Sequence, residues 1–162
     1  MLAFFVVLLI VVGALEWASV YDPLSRLNYD VRALSRSVDQ NEPFLIESAI
    51  ENGSLLPVPF LRVQENLPPE IRLSPESAAR YTQQNAFDSA RAQTYLTSTV
   101  SLWPRQKLVR RVTASLPARG RYFLRGATLT GGDFLGLSET SASYPAFSEI
   151  VVLPARAETA PE

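Results

Sequence analysis

Alternating side chains between residues 119 and 137 constrain the fold of this chain more than any other feature. Two series of residues alternate along the segment: Tyr122, Leu124, Gly126, Thr128 and Thr130, interleaved with Phe123, Arg125, Ala127 and Leu129. A period of two is typical of a strand with two different faces. Gly131, Gly132 and Gly136 follow, and glycine readily takes the positive φ angles of tight turns and bulges. We therefore expect one strand over 122–130 that ends in a glycine corner, with Asp133 as a turn residue.

The same period recurs along most of the chain, in residues 27–38, 44–51, 60–66, 94–103, 107–116 and 147–153, with a shorter strand at 71–73. Turn signals such as Asn52-Gly53 and several prolines separate these segments. Seven or eight short strands without a long amphipathic helix predict a mainly β chain, an immunoglobulin-like β-sandwich. The predicted core consists of Ile46, Ile50, Leu61, Val63, Val100, Leu102, Val112, Leu124, Leu129 and Val151.

An uninterrupted apolar run occupies residues 2–15, and the apolar residues that follow extend it to about 20, with Glu16 as the one charge. This length predicts a single transmembrane helix at 1–21, followed by a linker at 22–26, a sandwich domain at 27–154 and a disordered end at 155–162. A buried core helix or a cleaved signal peptide are the alternatives, but no Lys or Arg precedes the run as a signal peptide requires. Arg26, Arg32 and Arg36 follow the run closely. The positive-inside rule therefore predicts a single-pass protein of the cell membrane whose soluble domain lies on the cytoplasmic side.

The composition argues against catalysis. The chain contains no histidine and no cysteine, which removes the usual general base, the thiolate nucleophile and the commonest ligands of zinc. We expect a protein that is not an enzyme, with no catalytic, cofactor-binding or metal-binding residues and no cofactor. Its formal net charge is −1, so no global positive field attracts a nucleic acid.

Three polar segments admit more than one interpretation. The basic residues at 105–111 could contact phosphates or lipid headgroups, but the pattern favours the solvated face of a strand. Glu65, Glu70 and Glu76 would need to face one another to act as glycosidase carboxylates, and surface positions along loops are the preferred interpretation. Residues 74–93 are polar and alanine-rich, which predicts the longest loop, or a loop with one helical turn, and a surface that could bind other proteins.

The order of several motifs resembles the membrane-proximal half of bacterial domain-of-unknown-function 58 (DUF 58) proteins. The matching positions are Glu51-Asn52 and residues 56–61, 119–122, 131–137 and 151–154. Phe60 stands where that family often has Trp, and the 131–137 corner lacks the usual Pro. DUF 58 proteins continue into a second half with a von Willebrand factor A-like domain. The sequence is therefore expected to be either the N-terminal part of a longer protein or a shortened paralogue.

The resemblance implies a non-enzymatic, membrane-anchored interaction or scaffold module in a system built around a MoxR-type AAA+ ATPase. The implied partners are the membrane, that ATPase and a von Willebrand factor A-like domain. A rival hypothesis is an outward-facing module that recognises envelope carbohydrate or peptide. In that case the exposed aromatic residues Trp103, Tyr122 and Tyr144 would form the binding platform.

Overall fold

The computed structural model of the chain describes residues 1–20, 24–88, 91–132 and 139–154. These residues form two helices, α1 (Leu2–Val20) and α2 (Pro75–Arg80). They also form twelve strands: β1 (Leu27–Ala33), β2 (Ser37–Asp39), β3 (Phe44–Asn52), β4 (Val58–Leu67), β5 (Arg72–Leu73), β6 (Thr82–Asp88), β7 (Arg91–Leu102), β8 (Lys107–Ser115), β9 (Gly120–Leu124), β10 (Ala127–Gly132), β11 (Glu139–Tyr144) and β12 (Ser148–Leu153).

The strands form three sheets, ordered β1-β3-β8-β5, β11-β10-β4-β7-β6 and β2-β12-β9. Apolar side chains from the four-stranded and five-stranded sheets share two buried clusters. In one of them Ile50 of β3 lies with Leu61 of β4 and Leu102 of β7. Burial of one face of each sheet against the other excludes water from both, which stabilises a two-layered arrangement. The prediction of a mainly β, sandwich-like chain is confirmed.

Most of the predicted core is buried. Eight of the ten residues are less than 5% exposed: Ile46, Ile50, Leu61, Val63, Leu102, Val112, Leu124 and Leu129. Val100 is only partly buried at the margin of the core. Val151 is also partly exposed, because β12 turns Ile150 and Val152 inward instead. A one-residue slip of phase in a strand exchanges its two faces, which explains the error at Val151.

The strand predicted at 27–38 is two strands that belong to different sheets. β1 pairs with β3 in the four-stranded sheet, whereas β2 pairs in parallel with β12 in the three-stranded sheet. Between them, the N–H of Leu34 donates to the carbonyl of Leu45 and the carbonyl of Arg36 accepts from Val151. Alternation of side chains indicates an extended backbone. It carries no information about which neighbouring strand each half of the 27–38 segment pairs with.

The strand predicted at 122–130 is also divided, and the corner lies at Gly126. Gly126 has a φ of 94°, which side chains strongly disfavour. A Cβ there would press against the carbonyl oxygen of Tyr144 and lie 2.6 Å from the amide nitrogen of Ala146. Gly131 and Gly132, which were expected to end the strand, are its last paired residues, opposite Leu61 and Phe60 of β4. Asp133 and Gly136 lie outside the described residues.

The long loop predicted at 74–93 contains regular structure. The hydroxyl of Ser74 accepts from the N–H of Ser77 and caps the short α2, in agreement with the helical turn considered for this segment. β6 and the start of β7 then form an antiparallel hairpin. The strands β6 and β11 both lie at the edges of the five-stranded sheet. An edge strand can be solvated on several sides and therefore needs no apolar alternation, which is why the sequence does not reveal either one.

The prediction for the N-terminal segment must be corrected. α1 ends at Val20, and the carboxylate of Glu16 limits the apolar part to residues 2–15, about 21 Å at ~1.5 Å per residue, against a hydrocarbon layer of ~30 Å. Among the described residues, no helix is both long enough and apolar enough to cross a membrane. The predicted location, single-pass in the cell membrane with a cytoplasmic domain, is therefore wrong. The end predicted to be disordered, 155–162, lies outside the described residues.

Candidate interaction site

A fully buried asparagine organises one end of the sandwich. Asn52, the last residue of β3, is 0% exposed. Its side-chain N–H groups donate to the carbonyls of Leu56 at 2.8 Å and Trp103 at 3.1 Å, and its side-chain oxygen accepts from the N–H of Ser54 at 2.9 Å. Two carbonyl partners and one N–H partner fix the orientation of the amide. Asn52 thus joins the loop after β3 to the turn after β7.

Further hydrogen bonds hold the two segments together. The N–H of Arg105 donates to the carbonyl of Ser54 at 3.1 Å, and the N–H of Asn52 donates to the carbonyl of Gln106 at 2.9 Å. The side chain of Gln106 in turn accepts from the N–H of Trp103 at 2.8 Å. Arg105 has a φ of 57°, a left-handed conformation that costs a residue with a side chain roughly 1–2 kcal/mol. The surrounding bonds hold that conformation in place.

Three large apolar side chains project from this bonded frame. Leu55 is 69% exposed, Leu56 is 42% exposed and Trp103 is 71% exposed. The side-chain nitrogen of Asn52 donates to the carbonyl oxygens of both Leu56 and Trp103, so those two oxygens lie no more than about 6 Å apart. We call Leu55, Leu56 and Trp103 the apolar triad. Exposed apolar side chains that lie together can form a binding surface.

Cationic residues lie beside the apolar triad. Arg105 belongs to the same turn as Trp103, and the carbonyl of Arg26 accepts from the N–H of Gly53 at 2.9 Å. Both arginines are exposed, and neither has a salt-bridge partner within the described ranges. We call Arg26 and Arg105 the basic rim. An apolar centre with a basic rim can bind a complementary surface, but it offers no acid–base pair for catalysis.

A second polar group lies between the two larger sheets. The carboxylate of Glu65 in β4 lies 2.8 Å from the guanidinium of Arg110 in β8, with side chains only 6% and 8% exposed. The hydroxyl of Tyr29 donates to Glu65 at 3.0 Å, and Arg110 also donates to the hydroxyl of Ser98. These four residues form the buried ionic cluster. Burial, and then the neighbouring Glu65 carboxylate, raise the pKa of Tyr29 far above its usual range.

The buried ionic cluster corrects two surface assignments. Glu65 lies on the same face of β4 as Leu61 and Val63, because it is an even number of residues away from both. Likewise Arg110 shares its face of β8 with Val112. Since the carboxylate is already bound by a guanidinium and a phenol, it is poorly placed to serve as a general base. We interpret this cluster as an ionic contact between sheets.

The other residues of the basic segment at 105–111 largely agree with the prediction of a solvated strand face. Lys107 and Arg111 are exposed. Arg111 lies 2.9 Å from Glu47, which also contacts Arg32 at 2.6 Å from the neighbouring strand. The hydrogen bond from Arg32, followed by that from Arg111, lowers the pKa of Glu47. Glu47 itself is 8% exposed, but the side chains of Arg32 and Arg111 are 68% and 65% exposed, so solvent screens both pairs and limits their contribution to stability.

The three aromatic residues proposed as a carbohydrate platform lie on different elements. Trp103 follows β7, whereas Tyr122 belongs to β9 and Tyr144 to β11. Tyr122 and Tyr144 are only partly exposed, and each donates its hydroxyl to a backbone carbonyl, of Ala118 and Leu24 respectively. Tyr122 lines a groove of about 420 Å³ together with Arg121 and Arg125. The structure does not place the three rings in one sheet or one loop.

Among the described residues, no group of three or more Asp and Glu side chains is arranged to hold a metal ion.

Of the apolar triad, the sequence indicated Trp103 as a binding residue but did not indicate Leu55 and Leu56. The available signal was that the two adjacent leucines lie between Asn52-Gly53 and Pro57. Asn, Gly and Pro favour turns, and a turn exposes at least some of its side chains to solvent. No signal in the sequence indicated that Asn52 is buried and bonded to two segments, since the turn propensity of Asn-Gly explained its presence equally well.

Comparisons with known proteins find only distant likenesses, all of them to solved structures. No protein-family model matches the sequence, and no curated protein matches it. Among solved structures, the CARDB domain of a Pyrococcus furiosus protein, crystallised with di-metal ions, is 18% identical, with a TM-score of 0.47 over 78% of this chain and 91% of that one. A cohesin module from a Clostridium perfringens family 33 glycoside hydrolase is 14% identical, with a TM-score of 0.47 over 79% and 97%. A non-cellulosomal cohesin from Archaeoglobus fulgidus is 12% identical, with a TM-score of 0.41 over 78% and 91%.

Proposed function

We propose that this chain is a non-enzymatic protein-interaction or scaffold module that binds its partner through the apolar triad. The observation that carries the proposal is the bonding of Asn52, which holds Leu56 and Trp103 in place while their side chains face solvent. A surface that is already ordered loses little conformational entropy on binding, so more of its contact energy appears as affinity.

The side chains of the apolar triad suit a protein partner. Trp is among the residues that most often dominate binding energy, particularly when it fills a pocket at the centre of an interface. Side chains held in fixed positions favour a protein partner of matching shape. Binding to a fluid lipid surface would not require such order. The basic rim favours acidic residues around the partner's pocket, because complementary charge accelerates association and fixes orientation.

The resemblance to DUF 58 proteins supplies the first partners to examine. We propose a MoxR-type AAA+ ATPase of the source organism as the partner, with a von Willebrand factor A-like domain as the next candidate. Motif order supports this choice, through Glu51-Asn52 and residues 56–61 in particular. Those positions include Asn52 and Leu56, and so overlap the frame of the apolar triad.

The test is binding of the purified full chain to that ATPase, measured by biolayer interferometry at two salt concentrations. Trp103→Ala should weaken binding by tenfold or more, corresponding to at least about 1.4 kcal/mol. Arg105→Gln should mainly slow association at low salt. Phe147→Ala is the matched control, because Phe147 is also 73% exposed but lies before β12, outside the apolar triad; it should change nothing.

Other outcomes would reassign the surface. Binding to anionic vesicles that is lost in Trp103→Ala, without ATPase binding, would make the apolar triad a lipid contact. Binding to peptidoglycan fragments that depends on Tyr122 would favour the envelope hypothesis. Equal effects of Trp103→Ala and Phe147→Ala on ATPase binding would exclude the apolar triad as the site.

We further propose that the sandwich has immunoglobulin-like topology. In this arrangement β2, β12 and β9 extend the layer of β1 and β3, and the chain changes partner between β1 and β2. Hydrogen bonds from Ala33 to the side chain of Ser148 and from Val151 to the carbonyl of Arg36 support it. Nuclear Overhauser effects between the backbones of Val38 and Val152, paired in parallel, should be observed. Their absence from a well-resolved spectrum would exclude this topology.

A further inference from the structure

Both edge strands of the five-stranded sheet, β6 and β11, lack the protection seen at the edges of the other two sheets. Proteins usually protect an edge strand with charges, prolines, bulges or short length. Among the described edges, β1 carries Asp30 and Arg32, β9 carries Arg121, and β2 and β5 have only three and two residues. β6 spans seven residues of sequence TQQNAFD. It has no proline, and its single charge is at its last position.

The β6–β7 hairpin also extends beyond its sheet. β7 pairs with β4 only as far as Thr94, opposite Leu67. Pairing with β6 continues past this point, through Gln93 opposite Ala86, to Arg91 opposite Asp88. In this extension neither described strand has a second neighbour. The backbone along the outer side of β6 therefore presents N–H and C=O groups that another strand can pair with.

We infer that β6 is a homodimerisation strand, which pairs antiparallel with β6 of a second copy of this chain. An antiparallel pair of identical strands satisfies two-fold symmetry, the commonest symmetry of protein dimers. A two-fold axis at Asn85, the central residue of β6, pairs all seven residues. It also brings Asp88 opposite Thr82 of the other copy, so that no like charges meet. The two five-stranded sheets then form one continuous ten-stranded sheet.

Cysteine cross-linking tests the pairing directly, because the chain has no native cysteine. Residues at the axis of an antiparallel pair have Cα atoms about 4.5–5.5 Å apart, within the range of a disulfide. Asn85→Cys should therefore yield, under mild oxidation of the full chain, a band at twice the 17.9 kDa monomer mass. Thr82→Cys faces Asp88 of the other copy, and should cross-link poorly.

The matched control is β11, the opposite edge of the same sheet, whose sequence ETSASY is also poor in charge. Ser141→Cys should not form the dimer band. Efficient cross-linking at Ser141, or equal cross-linking at Thr82 and Asn85, would contradict the proposal.

Charge insertion gives a second, reversible test. The double variant Gln83→Lys and Gln84→Lys places four lysines at the interface of the proposed dimer, and should raise its dissociation constant at least about tenfold in sedimentation equilibrium. Thr140→Lys with Ser143→Lys on β11 should leave the constant unchanged. Circular dichroism melting of each variant establishes that the fold is retained. A monomeric parent chain, or a dimer that survives the β6 lysines, would overturn the proposal.

Discussion

Asn52 is fully buried, yet it orders the exposed surface that we propose for binding. Its amide bonds to backbone groups of three residues in two separate segments, and its own backbone N–H donates to the carbonyl of a fourth residue, Gln106. No other side-chain type of similar size offers both two donors and an acceptor in this geometry. Substitution there should therefore change both stability and the order of the apolar triad.

We expect Asn52→Ala to lower the free energy of unfolding by about 1–3 kcal/mol, because it leaves the carbonyl of Leu56 and the N–H of Ser54 without their side-chain partner and opens a small cavity, whereas the carbonyl of Trp103 still accepts from the N–H of Gln106. Urea denaturation followed by tryptophan fluorescence measures this loss, and Trp103 itself should report local disorder. Ser101→Ala, at an exposed position of β7, is the control and should change stability by less than about 0.5 kcal/mol. A parent-like midpoint for Asn52→Ala would show that the loops are held by other contacts.

At the scale of the elements, the sequence predicted those strands whose two faces differ. β3, β4 and β8 each bury one face in the core, and this difference imposes the alternation that reveals them. β6 and β11 lie at edges, where burial does not select for a pattern. The corner at Gly126 was hidden for another reason. The contact that requires glycine comes from Tyr144 and Ala146, which are distant in sequence.

The same reasoning explains why the polar residues were harder to place than the apolar ones. A buried Leu is expected from its type, whereas a buried Glu or Arg is rare unless it is paired. Glu65 and Arg110 are separated by 45 residues, so neither residue indicates the other in the sequence. Only the packing of β4 against β8 brings them together.

At the scale of the whole molecule, the buried ionic cluster connects the two larger sheets. Each ion loses its hydration when the sheets pack, and the attraction between them, with the hydrogen bonds of Tyr29 and Ser98, offsets that cost. The pair therefore penalises any arrangement that separates the charges. Correct alignment of the sheets brings the two charges into contact.

We expect Arg110→Leu alone to cost about 3–5 kcal/mol, because it leaves the carboxylate of Glu65 buried without its cation. The double variant Arg110→Leu with Glu65→Leu should be more stable than Arg110→Leu, since no uncompensated charge remains. A double-mutant cycle by urea unfolding measures the coupling, and additive effects of the two substitutions would contradict it. Arg32→Leu, which removes an exposed cation from Glu47, is the control and should change stability little.

The segment that enters the sandwich has a mechanical consequence. Leu24 accepts a hydrogen bond from the hydroxyl of Tyr144, and Arg26 accepts one from Gly53. The side chain of Leu24 is also buried in the apolar core, so tension applied through the N-terminal helix would act on these two bonds and on that core contact together. One bond leads to the outer strand β11, and the other leads directly to the loop that carries Leu55 and Leu56. Force on the first 20 residues would strain this loop and one end of the core together, so the apolar triad is directly coupled to traction from that end.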